Sequence, residues 1–417
     1  MSGGEAGLLL TLGVVLALYM AWSVGANDVA NAMGTSVGSR ALTLGQAVLV
    51  AGIFEFVGAY FFGAEVSDTV RRGIVDAQDF AHVPRLLVLG MLAALLAAGL
   101  WLHLASFLGL PVSTTHSIVG AVAGFGLMEF GVRAVRWPEF GRIAASWIIS
   151  PMAGGALGFL MFHLIRRLIL DRADPARAAL RWMPLLLTIV LTTLVFAFFE
   201  KGAARLAGRP IERAPLLLGA AAVSLVASLG LAWMTRRRTE REPDPDPIVH
   251  VERIFGYLQV LTACYVALSH GANDVANAIG PLSAIAHVVR TGAVEMSVPV
   301  PGWVLALGGA GIVLGLGTFG YRVMMTIGMR IMELSPTRGF AAEFGAATTV
   351  LICSLQGLPV STTHTLVGAV VGVGFARGLT ALNHRVLYGI VTSWFFTVPL
   401  AGALSMTFYL LLKAIFA

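Results

Sequence analysis

The octapeptide Gly25-Ala-Asn-Asp-Val-Ala-Asn-Ala32 recurs letter for letter at 271–278. Its Asn27, Asp28 and Asn31, with the twins Asn273, Asp274 and Asn277, offer hard oxygen ligands and one negative charge per copy. On a helix, residues i and i+4 share a face, so Asn27 and Asn31 stack while Asp28 falls on the adjacent strip. Such a set suits a small hard cation whose shell is completed by backbone carbonyls. It contains no cysteine and no close histidine, which argues against a transition metal. An asparagine-mediated helix contact would account for the asparagines, but hardly for a carboxylate in both copies.

A second motif, Gly109-Leu-Pro-Val-Ser-Thr-Thr-His116, recurs at 357–364. Proline ends one helix and can open the next. The N–H groups at the start of the new helix are unpaired, and its dipole favours an anion. Ser113, Thr114 and Thr115 add three hydroxyls, and Ser361, Thr362 and Thr363 add three more. Two such tips facing one another make a cradle for a tetrahedral oxyanion without any Lys or Arg, which suits a protein that must also release it. Helix capping by Ser or Thr is the plainer explanation. Identical copies deep in apolar runs favour binding.

Other chemistry is weaker. Ser113 and His116 could be read as the nucleophile and base of an intramembrane hydrolase, but no third orienting group stands at a recognisable spacing. His116 and His364 are expected to be hydrogen-bonded structural histidines. Glu55 interrupts an apolar run and Glu343 begins one. Either could assist coupling or pair with an arginine, and neither has an identical twin.

The elements that must position these residues are membrane helices. Of 417 residues, 57% are apolar and 12% charged, and mean hydropathy is +0.84. An ordinary soluble domain carries about 25% charged residues. A soluble enzyme, a disordered chain and a disulfide-built module are excluded, and a polytopic all-α membrane protein fits. Cys264 and Cys353 lie in apolar runs and read as reduced thiols. The net charge of +6 comes from arginines between apolar runs, so it reads as loop charge and not as a nucleic-acid surface. The first run is expected to be a retained span, since 1–7 has no basic n-region.

Runs free of Asp, Glu, Lys and Arg cover 6–27, 86–128, 143–165, 182–199, 214–235, 254–273, 296–321, 344–376 and 386–412, with 41–64 broken only by Glu55. About 20 residues span a ~30 Å hydrocarbon core. The runs at 86–128 and 344–376 are too long for one crossing, and each is broken by Gly-Leu-Pro. They predict two re-entrant hairpins, at 86–128 and 339–376. Residues 166–181 and 236–253 are basic linkers, and the second, with its acidic, proline-rich stretch at 242–247, is expected to be a flexible cytoplasmic loop.

Both motifs repeat at 246 to 248 residues, as do Ser146-Trp147 with Ser393-Trp394 and Pro151 with Pro399. The chain therefore divides into a first repeat, 1–181, two connecting helices with a charged loop, 182–252, and a second repeat, 253–417. With 166–181 and 236–253 inside, the second repeat is inverted, and 66–85 and 286–296 lie outside. Lys and Arg show a modest excess on the inner side. Inverted repeats with interrupted helices are a construction of secondary transporters.

Together these motifs resemble the inorganic phosphate transporter family of symporters, in its sodium-coupled branch; Thr35-Ser-Val-Gly38 and Ile53-Phe-Glu55 extend the likeness. The resemblance implies about twelve transmembrane segments counting the hairpin arms, two inverted repeats, a homodimer and an integral protein of the cell (plasma or inner) membrane. It implies phosphate held by Asp28, Ser113, Thr114, Thr115, Asp274, Ser361, Thr362 and Thr363. Sodium would bind beside it at Asn27, Asp28, Asn31, Asn273, Asp274 and Asn277. No resident cofactor and no enzyme activity are expected. The reading that follows is import of inorganic phosphate with sodium. A proton-coupled phosphate or sulfate permease of the same fold, a non-transporting receptor and the Ser113/His116 hydrolase are its rivals.

Overall fold

Proline and short polar side chains set where the helices begin. Pro84, Pro138, Pro175, Pro247 and Pro336 each stand in the first two positions of a helix, where the missing N–H has no cost. Asp174 and Asp246 cap the helices that follow them, and Thr43 forms a reciprocal capping box with Gln46. In this computed structural model the described residues are 3–203, 212–241, 246–295, 299–320, 331–378 and 382–416.

The helices are α1 (Gly3–Gly38), α2 (Leu44–Phe62), α3 (Ala64–Arg72), α4 (Pro84–Phe107), α5 (Thr114–Phe130), α6 (Trp137–Ile165) and α7 (Pro175–Ala197). They continue as α8 (Arg213–Arg241), α9 (Pro247–Asp274), α10 (Ala276–Thr291), α11 (Gly302–Thr318), α12 (Pro336–Leu355), α13 (Thr362–Arg377) and α14 (His384–Phe416). No strand occurs among the described residues. Nine helical stretches among them are long and apolar enough to cross a membrane, with α9 and α10 counted together and α11 a shorter apolar helix. The protein is an all-helical integral membrane protein.

The two long apolar runs each form a pair of helices, α4 with α5 and α12 with α13. Gly109 and Gly357, at φ of 67° and 69°, supply the left-handed turn at each break, a conformation that costs a residue with a Cβ. The linkers differ from expectation. Helix α6 runs on through one wide turn, Arg166–Leu170, and α7 starts at Pro175, so the first linker is a short turn. Helix α8 continues through the arginines at 236–238 to Arg241, because nothing before Glu242-Pro243 interrupts it, so 236–241 of the expected flexible loop are helical; 242–245 lie outside the described residues.

Apolar side chains collect in two clusters. One is built mainly from α6, α7, α9, α12 and α13, the other from α1, α4, α5, α10 and α11. Gly154 and Gly158 face Thr365 and Ala369 of α13, and Gly311 and Gly315 face Ala21 and Trp22 of α1. These small-residue pairs therefore serve close packing within one chain. Both thiols are free.

Candidate ion and anion site

Each hairpin break exposes a new helix start. Ser113 adopts extended backbone angles, and its Oγ accepts the backbone N–H of His116 at 3.1 Å; Ser361 does the same for His364 at 3.2 Å. Both serines are therefore N-caps, as the plainer explanation had it. Neither serine Oγ donates a hydrogen bond to another group among the described residues.

The first asparagine of each octapeptide holds the break of its own copy. Asn27 donates to Ser106 Oγ (3.0 Å) and Leu110 O (3.1 Å), and its Oδ1 accepts the N–H of Val112 (3.3 Å). Asn273 donates to Ser354 Oγ (2.9 Å) and Leu358 O (3.1 Å) and accepts from Val360 N (3.3 Å). The second asparagine reaches the other copy. Asn31 donates to Asp28 Oδ1 and to Thr363 Oγ1, both at 2.7 Å. Asn277 donates to Thr114 Oγ1 at 3.2 Å and Thr115 Oγ1 at 3.4 Å.

The threonines close the network. Thr362 donates to Asp274 Oδ2 at 2.7 Å, and Thr363 contacts Asp28 Oδ1 at 3.2 Å and Val112 O at 3.3 Å. Thr115 donates to Val360 O at 2.9 Å. All twelve of these positions, from Asn27, Asp28 and Asn31 through Ser113–Thr115 and Ser361–Thr363 to Asn273, Asp274 and Asn277, are buried. The candidate ion and anion ligands read from the sequence are thus brought to one place, whereas Glu343 lies in a separate cluster.

Four buried oxygens in this network have no hydrogen-bond partner: Asp28 Oδ2, Asn31 Oδ1, Asp274 Oδ1 and Asn277 Oδ1. They are twins of one another in pairs. Buried acceptors are normally satisfied, so a set of orphaned oxygens including two carboxylates fits a hard cation. The cavity beside Asn31, His270 and Thr362 holds about 10 Å³. That is room for about one water molecule and too little for a tetrahedral anion.

Three features escaped the sequence. His270 corrects the expectation of no close histidine. Its Nε2 lies 3.0 Å from Asp274 Oδ2 and 3.7 Å from Asp28 Oδ2, and its Nδ1 lies 3.1 Å from Glu55 Oε1. It stands one helical turn before Asp274, which the i, i+4 rule could have flagged, but its twin position holds Val24. Second, Ser106 and Ser354 are buried twins that hold Asn27 and Asn273. Third, Glu343 gathers hydroxyls from distant helices: Thr35 at 2.6 Å, Ser36 at 2.5 Å and Thr262 at 2.5 Å, with Gln259 Nε2 at 3.0 Å. It pairs with hydroxyls and an amide and not with an arginine.

The geometry removes the hydrolase. Ser113 Oγ meets the backbone of His116, not its ring, and that ring packs 3.7 Å from Trp147 and 4.4 Å from His364. His364 stacks at 3.5 Å on Trp394. The two histidines are held by aromatic rings more than by the hydrogen bonds expected; His364 Nδ1 lies 3.5 Å from Trp147 O.

Comparison with known proteins agrees with the motifs. A protein of Pyrococcus abyssi that carries a provisional phosphate permease name is 48% identical over 97% of this chain and 98% of its own. Inorganic phosphate transporter 2-1, chloroplastic, of Arabidopsis thaliana is 42% identical over 95% of this chain and 70% of its own. A solved structure described as the sodium-dependent phosphate transporter superposes with a TM-score of 0.91 at 43% identity, covering 98% of this chain and 100% of the other. The sequence profile of the phosphate transporter family matches residues 24–405. The chain belongs to the phosphate transporter family, and it is a transporter and not an enzyme.

Proposed function

We propose that the chain imports inorganic phosphate in symport with sodium across a cell membrane, with the site between two inverted repeats opening alternately to either side. The observation that carries this reading is the set of four orphaned oxygens beside two half-helix starts. Asp28, Asn31, Asp274 and Asn277 take the cation. Asn27 and Asn273 take part chiefly by holding the tips, each with one carbonyl lone pair left for sodium. Once sodium is bound, its charge and the N-termini of α5 and α13 favour phosphate, whose oxygens accept from Ser113, Thr114, Thr115, Ser361, Thr362 and Thr363. Neither ion is well held alone, so each raises the affinity for the other by the same factor.

Sodium as the coupling ion is supported by the sodium dependence in the description of the solved neighbour and by the hard, neutral-plus-carboxylate ligand set. A proton-coupled permease is the second reading, and His270 among Asp28, Glu55 and Asp274 is the feature that favours it. The resemblance to family members supports a homodimer. Uptake of labelled phosphate into proteoliposomes tests the reading: a sodium gradient should drive it and a potassium gradient should not. Full uptake driven by a proton gradient in sodium-free buffer would replace sodium by protons. Uptake of sulfate in preference to phosphate would replace the substrate.

A further inference from the structure

Each half-helix of the site lies against the long final helix of the opposite sequence copy: α5 packs on α14, and α13 on α6. The seams are glycine-lined and twinned. A methyl group on Gly120 or Gly124 would collide with the backbone carbonyl of Val398 or Gly402, and one on Gly368 or Gly372 with that of Pro151 or Gly155. A seam of this kind brings backbones close. It fixes a helix sideways and resists sliding along the axis less than interlocked side chains do, so axial position depends on polar contacts at the helix ends.

The far ends are held differently. Lys413, near the end of α14, places Nζ 2.6 Å from Glu129 Oε2 in the last turn of α5, and Tyr409 OH donates to the same oxygen at 2.7 Å. Arg166, just past the end of α6, donates from Nη1 to Ala376 O in the last turn of α13 at 2.9 Å. Arg166 and Lys413 stand 247 residues apart in sequence, and so do Glu129 and Ala376. The letters differ, so a search for identical motifs passes over them, yet each copy puts one cation on the negative end of the other copy's half-helix.

We propose that Arg166 and Lys413 are positioning residues for phosphate: each latches the end of a half-helix and so sets where its N-terminus stands in the site. A helix of 16 or 17 residues is a rod of roughly 25 Å, so an axial slip at one end arrives undiminished at the other. This inference rests on the phosphate reading above.

The test compares Arg166→Met and Lys413→Met with Arg166→Lys and Lys413→Arg, each purified and reconstituted for phosphate uptake. Glu129→Gln removes the charge partner of Lys413 from the same latch without stranding a carboxylate, and it stands in should Lys413→Met fail to fold. The methionine variants should raise the half-saturating phosphate concentration roughly threefold to tenfold, as expected of losing a helix-end cation. Maximal uptake per folded molecule should change by less than about twofold, and the Lys and Arg swaps should restore the wild-type value. A merely structural role lowers the amount of folded protein and leaves half-saturation alone, and that result overturns the proposal. Hydrogen exchange of backbone amides at 114–117 and 362–365 is the second readout, and it needs no transport. It should quicken in the methionine variants, and unchanged exchange there also overturns the latch. A wild type that takes up no phosphate contradicts the functional reading instead, and the exchange readout then decides the latch alone.

Discussion

Asn31 on α1 donates a 2.7 Å hydrogen bond to Thr363 at the start of α13, so the octapeptide of the first copy reaches the tip of the second. Asn277 makes the converse contact with Thr114. Each asparagine keeps its Oδ1 unpaired, which places it where a bound cation and a bound anion would both feel its loss.

Asn31→Ala and Asn277→Ala should therefore weaken the linkage between the ions. The expected result is that sodium raises phosphate affinity at least about tenfold less than in the wild type, since a hydrogen bond to a charged group contributes about 1.5–3 kcal/mol. Phosphate binding titrated at several sodium concentrations measures it. Unaltered sodium enhancement in both variants would place the cation elsewhere.

The tips should show two separable effects. Alanine at Ser113, Ser361, Thr114 or Thr362 should weaken phosphate binding about tenfold or more. Ser113→Ala and Ser361→Ala should in addition cost about 0.5–2 kcal/mol of stability, because both serines cap helices. Thermal melting beside binding separates the two. Normal uptake by the double Ser113, Ser361 variant contradicts the cradle.

Selectivity between phosphate and sulfate should depend on the carboxylates. Both anions are tetrahedral, but near pH 7 phosphate keeps a proton that an aspartate can accept, whereas sulfate offers only acceptors. Unmatched buried polar groups reject an analogue effectively. Asp28→Asn and Asp274→Asn should each abolish or severely reduce coupled uptake, and the residual binding should discriminate less against sulfate. Competition of sulfate against labelled phosphate decides it. Mutants that bind poorly yet still reject sulfate would confine the aspartates to the cations.

Glu343 gives a prediction about stability. Its two oxygens accept from Thr35, Ser36, Thr262 and Gln259, all buried. Glu343→Ala strands those donors and should destabilise the fold by about 3 kcal/mol or more. Glu343→Gln keeps the shape and should cost less. Equal melting of both variants and the wild type would show the cluster to be slack.

The inverted arrangement predicts labelling. Cysteines introduced at the exposed positions Gln78 and Arg172 should react from opposite faces of the membrane. Labelling of both from one side contradicts the inversion.

The convergence of the candidate site was largely legible because its chemistry is written twice. Polar residues at membrane depth are costly, so the identical recurrence of Asn27, Asp28, Asn31 and the 113–115 tip marked them at once. The hairpins were legible for a local reason: Gly109 and Gly357 with the prolines after them can do little but break a helix. What the sequence hid was whatever departs from the duplication or depends on a distant partner. His270 faces the site, but Val24 stands at its twin. Glu343 reads as an isolated carboxylate until α1 and α9 bring four donors to it. Ser106 and Ser354 are twins, yet single serines near the end of an apolar helix are unremarkable until Asn27 and Asn273 are seen to need them. The arginines at 236–238 looked like a loop by charge alone, and the helix simply carries them.

The contact between Asn31 and Thr363 also has a consequence for biosynthesis. The two residues are 332 positions apart. At roughly 5–20 residues per second of synthesis, Asn31 exists on the order of 20 to 60 s before the ribosome makes its partner. During that interval α1 carries Asp28 and Asn31 with no second hairpin to receive them, and lipid offers such groups nothing. The nascent first copy must therefore keep this helix in contact with water, with the insertion machinery or with an incomplete neighbour until the last fifth of the chain arrives. Chains halted before the second tip should therefore be less stable in the membrane than complete ones, because Asp28 and Asn31 lack their partner on α13.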